Sequence, residues 1–595
     1  MLKRAKMLFD NKIWNNITNI LFPAILVLFA LMHIQEGLTV TDTGYNYGNF
    51  VFMQSLDDMW KFSTYLANVV GALFTKLPFG QTMLGLNFYT GMVKAAAALL
   101  AYYLCVNVCK MSKETVFLGE MIALGFCWCP TALLYNYMTY LLFSFGALLI
   151  FCAFKTEKNR YFVMAGVCLG LNLMVRIPNL AEIALIVCVW FGGIIYHQKF
   201  KKIVQNTLFC MLGYFISVGT ILLYISLRYG IDAYVDGIIA LFEMTENATS
   251  YSAMAMILGS LSMYLTYKKW FACLLFIMFC GIIVFCILKG KLLLLKKIGV
   301  SLVVAAYVVL AYIRKQYTLD YRNYSSMIFW GIMFLMVALL VCICTMLFAK
   351  GKSEMKLLAC LSVVIILITP IGSNNGLYSP VNNLFLVAPV VLYVIEQLLY
   401  EEKRVMIKNK LEISLFPIQA VLVGFVFAVF VQSVLFGSCF VFRDGTDGAK
   451  RDCKVENNDV LAGMRTTKQN AVNLQGLNDY LAENELIGEE VLLYGNVPSV
   501  SFYFGMKPVI STTWPDLDSF SYEKFEAEMD SIIKNDLPMV ITDTATRDNL
   551  LAYAEQEQIS SNWEKKMKKL HSFLIGNNYV ESYSNDGFVV YESIQ

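Results

Sequence analysis

The chain has 595 residues, of which 58% are hydrophobic and 15% charged, with a formal net charge of +3. Soluble domains carry about a quarter charged residues, so this composition excludes a wholly soluble protein. The near-neutral balance gives no footing for nucleic acid. A polytopic α-helical membrane protein with some soluble mass attached is expected.

In chain order, apolar runs predict about thirteen transmembrane helices, at 17–36, 83–106, 114–129, 131–153, 161–176, 179–197, 204–227, 270–289, 298–313, 327–348, 356–371, 382–400 and 414–437. The first run has no small-residue cleavage site after it and reads as a retained span. Alternate connections are short and basic: Lys3, Arg4 and Lys6 at the start, then "KMSK", "KTEKNR", "HQKFKK", "KGKLLLLKK", "KGKSEMK" and "EEKRVMIKNK". The positive-inside rule makes the N-terminus cytoplasmic in a multi-pass cell-membrane protein. Thirteen crossings then place the C-terminus outside.

The first outer loop, 37–82, opens with "TVTDTGYNYGNF" and its lone acid Asp42. It continues through Asp57, Asp58, Lys61 and Lys76 in a mixed apolar stretch of the kind that forms juxtamembrane helices. Residues 1–437 form the membrane part and 438–595 an extracytoplasmic domain. In that domain "EEVLLYGN" and "LPMVITD" read as buried strands, and the end reads as a hairpin turning at Asn585-Asp586-Gly587. A small α/β cap without a nucleotide motif is expected there.

Chemistry is bounded by supply. The three histidines, His33, His197 and His571, form no zinc pair, the sixteen cysteines include no CxxC, and no GxSxG elbow occurs. Most cysteines lie in apolar runs, while Cys439 and Cys453 sit together outside the spans. Catalysis therefore rests on carboxylates assisted by basic or amide side chains. Outer-face candidates are Asp42, Arg176 in "MVRIPNLAE", Arg314, Lys315 and Arg322 in "RKQYTLDYRNY", and Asn374 and Asn375 in "IGSNNGLYSP". Cations are usually depleted outside, so those retained there are candidates to hold a ligand. Lys94, Glu120 and Glu182 are ionisable residues in or near spans, the two acids reading as structural.

"TDTGYNYGNF", "LFTKLPFG", "VRIPN" and "GSNNGLYSP", with the architecture of the whole chain, resemble the GT-C membrane glycosyltransferases, and within them bacterial relatives of protein O-mannosyltransferases and aminoarabinose transferases. Many members carry paired acids in the first outer loop, whereas Asp42 is flanked by Thr41 and Thr43. The resemblance implies a polyprenyl-phosphate sugar donor, a glycan, lipid or protein acceptor, a membrane-lipid setting and no cofactor, and the single acid, where many members have a pair, gives no indication of a metal. It implies Asp42 as general base with inversion at the anomeric carbon. Arg176, Arg322 and Lys76 are then candidates for the lipid phosphate, and Tyr45 and Asn46 for positioning. Asn374 and Asn375 are candidates for sugar hydroxyls. A phosphate leaves without protonation, so one carboxylate suffices where glycoside hydrolysis needs two. A lipid-linked saccharide flippase, an envelope polysaccharide polymerase or ligase, and a non-catalytic scaffold are the alternatives.

Overall fold

The computed structural model describes residues 12–247, 252–287, 292–400, 404–407, 411–445, 448–517, 519–532, 537–554 and 561–594. Lys3, Arg4, Lys6 and parts of the basic connections near 290 and 405 lie outside them. Each apolar run expected to cross coincides with a helix, beginning with Lys12–Ala30 and ending with Phe416–Cys439. Nine helical segments among the described residues are long and apolar enough to cross a membrane by length and composition. Lys113–Phe126, Asn159–Val175, Ser353–Ile368 and Val387–Tyr400 are shorter. Lys113–Phe126 is buried from Gly119 to Phe126, so neighbouring helices rather than lipid cover it.

Close packing follows from small residues. A Cβ on Gly166 would lie 1.8 Å from the Cys210 carbonyl oxygen, and one on Gly213 would lie 1.9 Å from that of Val163. Glycine at both contacts lets Asn159–Val175 and Phe200–Tyr229 pack backbone against backbone, the mode available to helices in lipid. At one end of the bundle the basic connections tie neighbours together. Lys155 pairs with Glu354 at 2.9 Å, and Lys113 donates to Asn15 and Asn19 at 3.1 and 2.6 Å.

The opposite end is more elaborate than the sequence pattern predicts. Helix Ala253–Ile287 begins well before the span expected at 270–289. At 1.5 Å per residue its 35 residues reach about 52 Å, against about 30 Å of hydrocarbon. Lys268-Lys269 and scattered serines interrupt the apolar run, but Met, Leu and Ala sustain the helix through them. A further helix, Ile231–Asn247, precedes it and packs on the first outer loop. That loop folds into three short helices, Asp42–Val51, Asp58–Ser63 and Tyr65–Phe74.

Beyond the last long helix stands a five-stranded sheet. Its strands are β3 (Glu490–Tyr494), β4 (Lys507–Pro508), β5 (Met539–Asp543), β6 (Tyr579–Ser584) and β7 (Phe588–Ser593), in the order β4-β3-β5-β7-β6. A separate short hairpin, β1 (Arg404–Ile407) with β2 (Leu411–Ser414), precedes the last long helix. In the main sheet β3 runs parallel to both β4 and β5, and β7 is antiparallel to β5 and β6. The Asn585 side chain accepts the Gly587 and Phe588 amides at 2.9 Å each and closes the expected hairpin turn.

Strand alternation sends Leu492, Tyr494 and Val540 to one face, against Phe525, Met567 and Leu570. The other face carries Val491, Leu493 and Ile541 into a core shared with Leu38, Tyr47, Phe50, Met83 and Leu134 of the membrane part. Burying side chains of this size contributes about 2 kcal/mol each, so the domain is packed onto the first outer loop rather than tethered above it.

Candidate functional site

Asp42 is the first residue of helix Asp42–Val51, and its carboxylate faces a cavity of about 480 Å³. The cavity wall comes from the connections at the end of the bundle opposite the basic ones. These are 128–140, 176–182, Tyr324, 368–382 and 442–443, besides Asp42 itself.

At the Asp42 end, the Arg443 guanidinium stands 3.9 Å from the carboxylate. The two side chains are 66% and 31% exposed, so the ion pair is open to a ligand. Burial pushes the Asp42 carboxyl above its ordinary value, and the Arg443 charge opposes that rise. Arg443 holds its place because the next residue is an anchor. Asp444 is buried, accepts from Thr466 at 2.6 Å and Asn470 at 2.9 Å, and pairs with Arg451 at 3.1 Å. Arg443 itself has φ of 38°, a left-handed backbone that a non-glycine residue adopts only at a cost.

Further in, Arg176 ends helix Asn159–Val175 with an extended backbone and donates to the Gly372 carbonyl at 2.6 Å. Its guanidinium lies 5.4 Å from the centre of the Tyr135 ring. Arg176 thereby clamps the 371–376 loop, which presents Asn374 and Asn375 to the cavity. The loop is held from above as well, because the Gly372 and Leu377 amides donate to the sulfurs of Met256 and Met263, each at 3.2 Å. The early start of helix Ala253–Ile287 supplies those two methionines.

A polar seam continues behind Arg176. Asn172 donates to Glu182, and Asn179 donates to the Thr139 hydroxyl at 2.7 Å and the Asn172 carbonyl at 3.0 Å. The opposite wall is aromatic. Trp128 sits edge-on to Tyr324 and Tyr378 at 5.5 and 5.6 Å and stacks on Phe442 at 6.3 Å. Asn136 and Asn382 both donate to the Cys129 sulfur, at 3.3 and 3.0 Å. Amides and aromatic faces lining one polar-rimmed cleft suit a small hydroxyl-rich ligand with both polar edges and C–H faces.

The structure brings four of the expected residues, Asp42, Arg176, Asn374 and Asn375, to this one cavity. Lys76 is exposed after helix Tyr65–Phe74, and Arg322 is exposed and donates to the Gly448 carbonyl at 3.1 Å. Neither is on the wall, so Arg176 and Arg443 are the cations among the lining residues. Tyr45 and Asn46 lie behind Asp42. The Tyr45 ring abuts Trp60 and Trp514, and Asn46 donates to the Asp42 carbonyl at 2.7 Å. Asp57 caps the next short helix through the Met59 amide at 3.0 Å and pairs with Lys524, while Asp58 pairs with Lys61 at 3.1 Å. Neither acid joins Asp42 on the wall, where the second carboxylate is Glu182. No three His, Cys, Asp or Glu side chains converge among the described residues. Cys439 and Cys453 are free thiols.

Arg443 is absent from the sequence reading. Its signal was a cation just beyond the last span, on the face where cations are scarce. Lys94 faces a smaller neighbouring space of about 80 Å³, behind the Trp128–Phe442 wall, with its ammonium 6.0 Å from the Tyr137 ring centre.

No protein-family model and no curated protein matches this chain. Solved structures do. The chain is similar to the Archaeoglobus fulgidus oligosaccharyltransferase in complex with zinc and sulfate, at 12% identity and a TM-score of 0.45, over 96% of this chain and 73% of that one. It is similar to ArnT from Cupriavidus metallidurans bound to undecaprenyl phosphate, at 10% identity and a TM-score of 0.47, over 96% of this chain and 97% of that one. It is also similar to the arabinosyltransferase EmbB from Mycobacterium smegmatis, at 14% identity and a TM-score of 0.30, over 70% of this chain and 40% of that one.

Proposed function

We propose that this multi-pass membrane protein is a GT-C-type glycosyltransferase. It moves a sugar from a polyprenyl-phosphate donor to an acceptor hydroxyl on the outer face of the membrane. The observation that carries the reading is the convergence of the outer-side connections on one cavity, with one partly exposed carboxylate beside an open guanidinium. The opposite, basic end of the bundle is cytoplasmic by the positive-inside rule, which puts the C-terminal domain outside.

The chemistry follows from the groups present. Asp42, ionised, takes the proton of the acceptor hydroxyl as that oxygen attacks the anomeric carbon. The sugar–phosphate bond breaks on the opposite side, so configuration inverts. The leaving phosphate departs as an anion and needs cations, not an acid. Arg443 is the more open of the two arginines, whereas Arg176 is committed to the Gly372 carbonyl and the Tyr135 face. Arg443 therefore meets the phosphate, and Arg176 fixes the amide loop that holds the sugar. The resemblances in "TDTGYNYGNF" and "GSNNGLYSP" point the same way.

The test is purified protein in vesicles with a polyprenyl-phosphate sugar and an acceptor glycan, lipid or peptide. Release of free polyprenyl phosphate together with a new glycosidic bond supports the transferase. Movement of the intact saccharide across the bilayer without release makes the protein a transporter and overturns the reading.

A further inference from the structure

The helix that begins with Asp42 lacks a cap of its own. Thr41 occupies the N-cap position, and its side chain makes no capping hydrogen bond. Helix N-termini leave backbone amides without intrahelical partners, and a local Ser, Thr, Asp or Asn usually takes one. Two of these amides, both in buried residues, are taken by side chains other than that of Thr41. The Thr43 amide donates to the Thr39 hydroxyl at 3.3 Å, and the Gly44 amide donates to the Ser499 hydroxyl at 3.1 Å.

Ser499 belongs to the C-terminal domain, in the short helix Ser499–Tyr503 that follows β3. Its hydroxyl proton faces the Thr39 and Thr41 carbonyls at 2.9 and 3.1 Å, and its own amide donates to the Val40 carbonyl at 3.1 Å. The Tyr503 hydroxyl adds a bond to the Thr39 carbonyl at 2.6 Å. Both side chains are fully buried. The fit is tight: a Cβ on Gly44 would lie 2.2 Å from the Ser499 Cβ and Oγ. Residues on both sides of Asp42 are thus gripped through backbone groups, leaving its carboxylate free to face the cavity.

We infer that Ser499, assisted by Tyr503, is a positioning residue that caps the Asp42 helix in trans and fixes the carboxylate in the site. The C-terminal domain is then a working part of the transferase rather than a cover. This rests on Asp42 being the base, but the clamp itself can be read without any substrate.

The experiment uses the full-length protein in nanodiscs and the variants Ser499→Ala, Tyr503→Phe and Asp42→Asn. Ser499→Ala removes one oxygen and keeps the Cβ packed against Gly44. Amide exchange in the 40–48 segment should quicken about tenfold, the scale of a lost cap, with the sheet of the C-terminal domain unchanged. With a polyprenyl-phosphate sugar as probe, kcat should fall about tenfold and the donor KM should hold. Tyr503→Phe keeps its volume and should shift both readouts the same way but less, which covers the case of Ser499→Ala failing to fold. Unchanged exchange at 40–48 in both variants, or loosening spread evenly over the whole domain, overturns the clamp. If Asp42→Asn turns over normally while Ser499→Ala still loosens 40–48, the base assignment fails and the clamp stands.

Discussion

Arg443 follows the last long helix, Phe416–Cys439, and Asp42 follows the first, Lys12–Ala30, yet their charged groups stand 3.9 Å apart on the wall of one cavity. An open pair at that distance adds about 0–1 kcal/mol to stability, so its use is electrostatic, at the carboxylate. Burial raises the Asp42 carboxyl and the Arg443 cation lowers it. The base acts ionised, so activity should rise with pH through the Asp42 titration, which burial shifts upward. Arg443→Gln removes the lowering charge. The acidic limb of the rate profile should move to higher pH, and kcat should fall because the departing phosphate loses its cation. A pH–rate profile of the variant checks both; a limb that stays in place contradicts the coupling.

Arg176 acts through the loop it holds. Arg176→Ala loses a charge-assisted bond to the Gly372 carbonyl, a contact worth about 1.5–3 kcal/mol. The 371–376 loop should loosen and the donor KM should rise about tenfold or more. Arg176→Lys should recover only part of this, because an ammonium does not reproduce the stacking of a guanidinium on Tyr135. Steady-state kinetics of the two variants measure the difference.

Two parts of this reading differ in how far the amino-acid pattern reveals them. Helix positions follow from apolar runs, because lipid demands continuous hydrophobic surface. The hairpin at Asn585 follows from local turn chemistry. The start of helix Ala253–Ile287 does not, since Lys268-Lys269 break the apolar signal while leaving helix formation intact. Asp42, Arg176, Asn374 and Asn375 stand out as polar groups on connections away from the basic end, and they share a cavity. Lys76 and Arg322 carry the same signal yet point to solvent, because a charge on an outer loop is stable there without a ligand. Arg443 carries only the weak signal of a cation just past the last span, and Ser499 carries none in one dimension. Their partners lie in the first outer loop, and only the docking of the C-terminal domain brings them there.

Asp516 offers a test of the C-terminal domain itself. Burial is the largest cause raising its carboxyl to about 6, with nearby Asp543 adding to the rise. The folded state therefore holds a proton that the unfolded chain, titrating near 3.8, has released. Stability tied to this group is present below about pH 4 and is lost as pH rises to about 6. Asp516→Asn should stabilise the domain by about 3 kcal/mol at pH 7. The gain should vanish near pH 4 in thermal unfolding monitored by C-terminal-domain probes. Equal stability of the two proteins at pH 7 contradicts the assignment.

The backbone contact at Gly166 makes a sharper packing prediction. Gly166→Val forces a side chain into the Cys210 carbonyl and should cost about 3 kcal/mol or more, in the range of severe overpacking. Thermal stability in detergent should drop well below that of Gly219→Val, whose position has open space around it.

The most direct measurement is sugar transfer from a polyprenyl-phosphate donor by the wild type and by Asp42→Asn, which keeps the shape of the side chain and removes its basicity. The account predicts that release of polyprenyl phosphate falls by about a hundredfold or more, the worth of a general base, while donor binding is retained. Turnover that survives the substitution at the wild-type rate would contradict it.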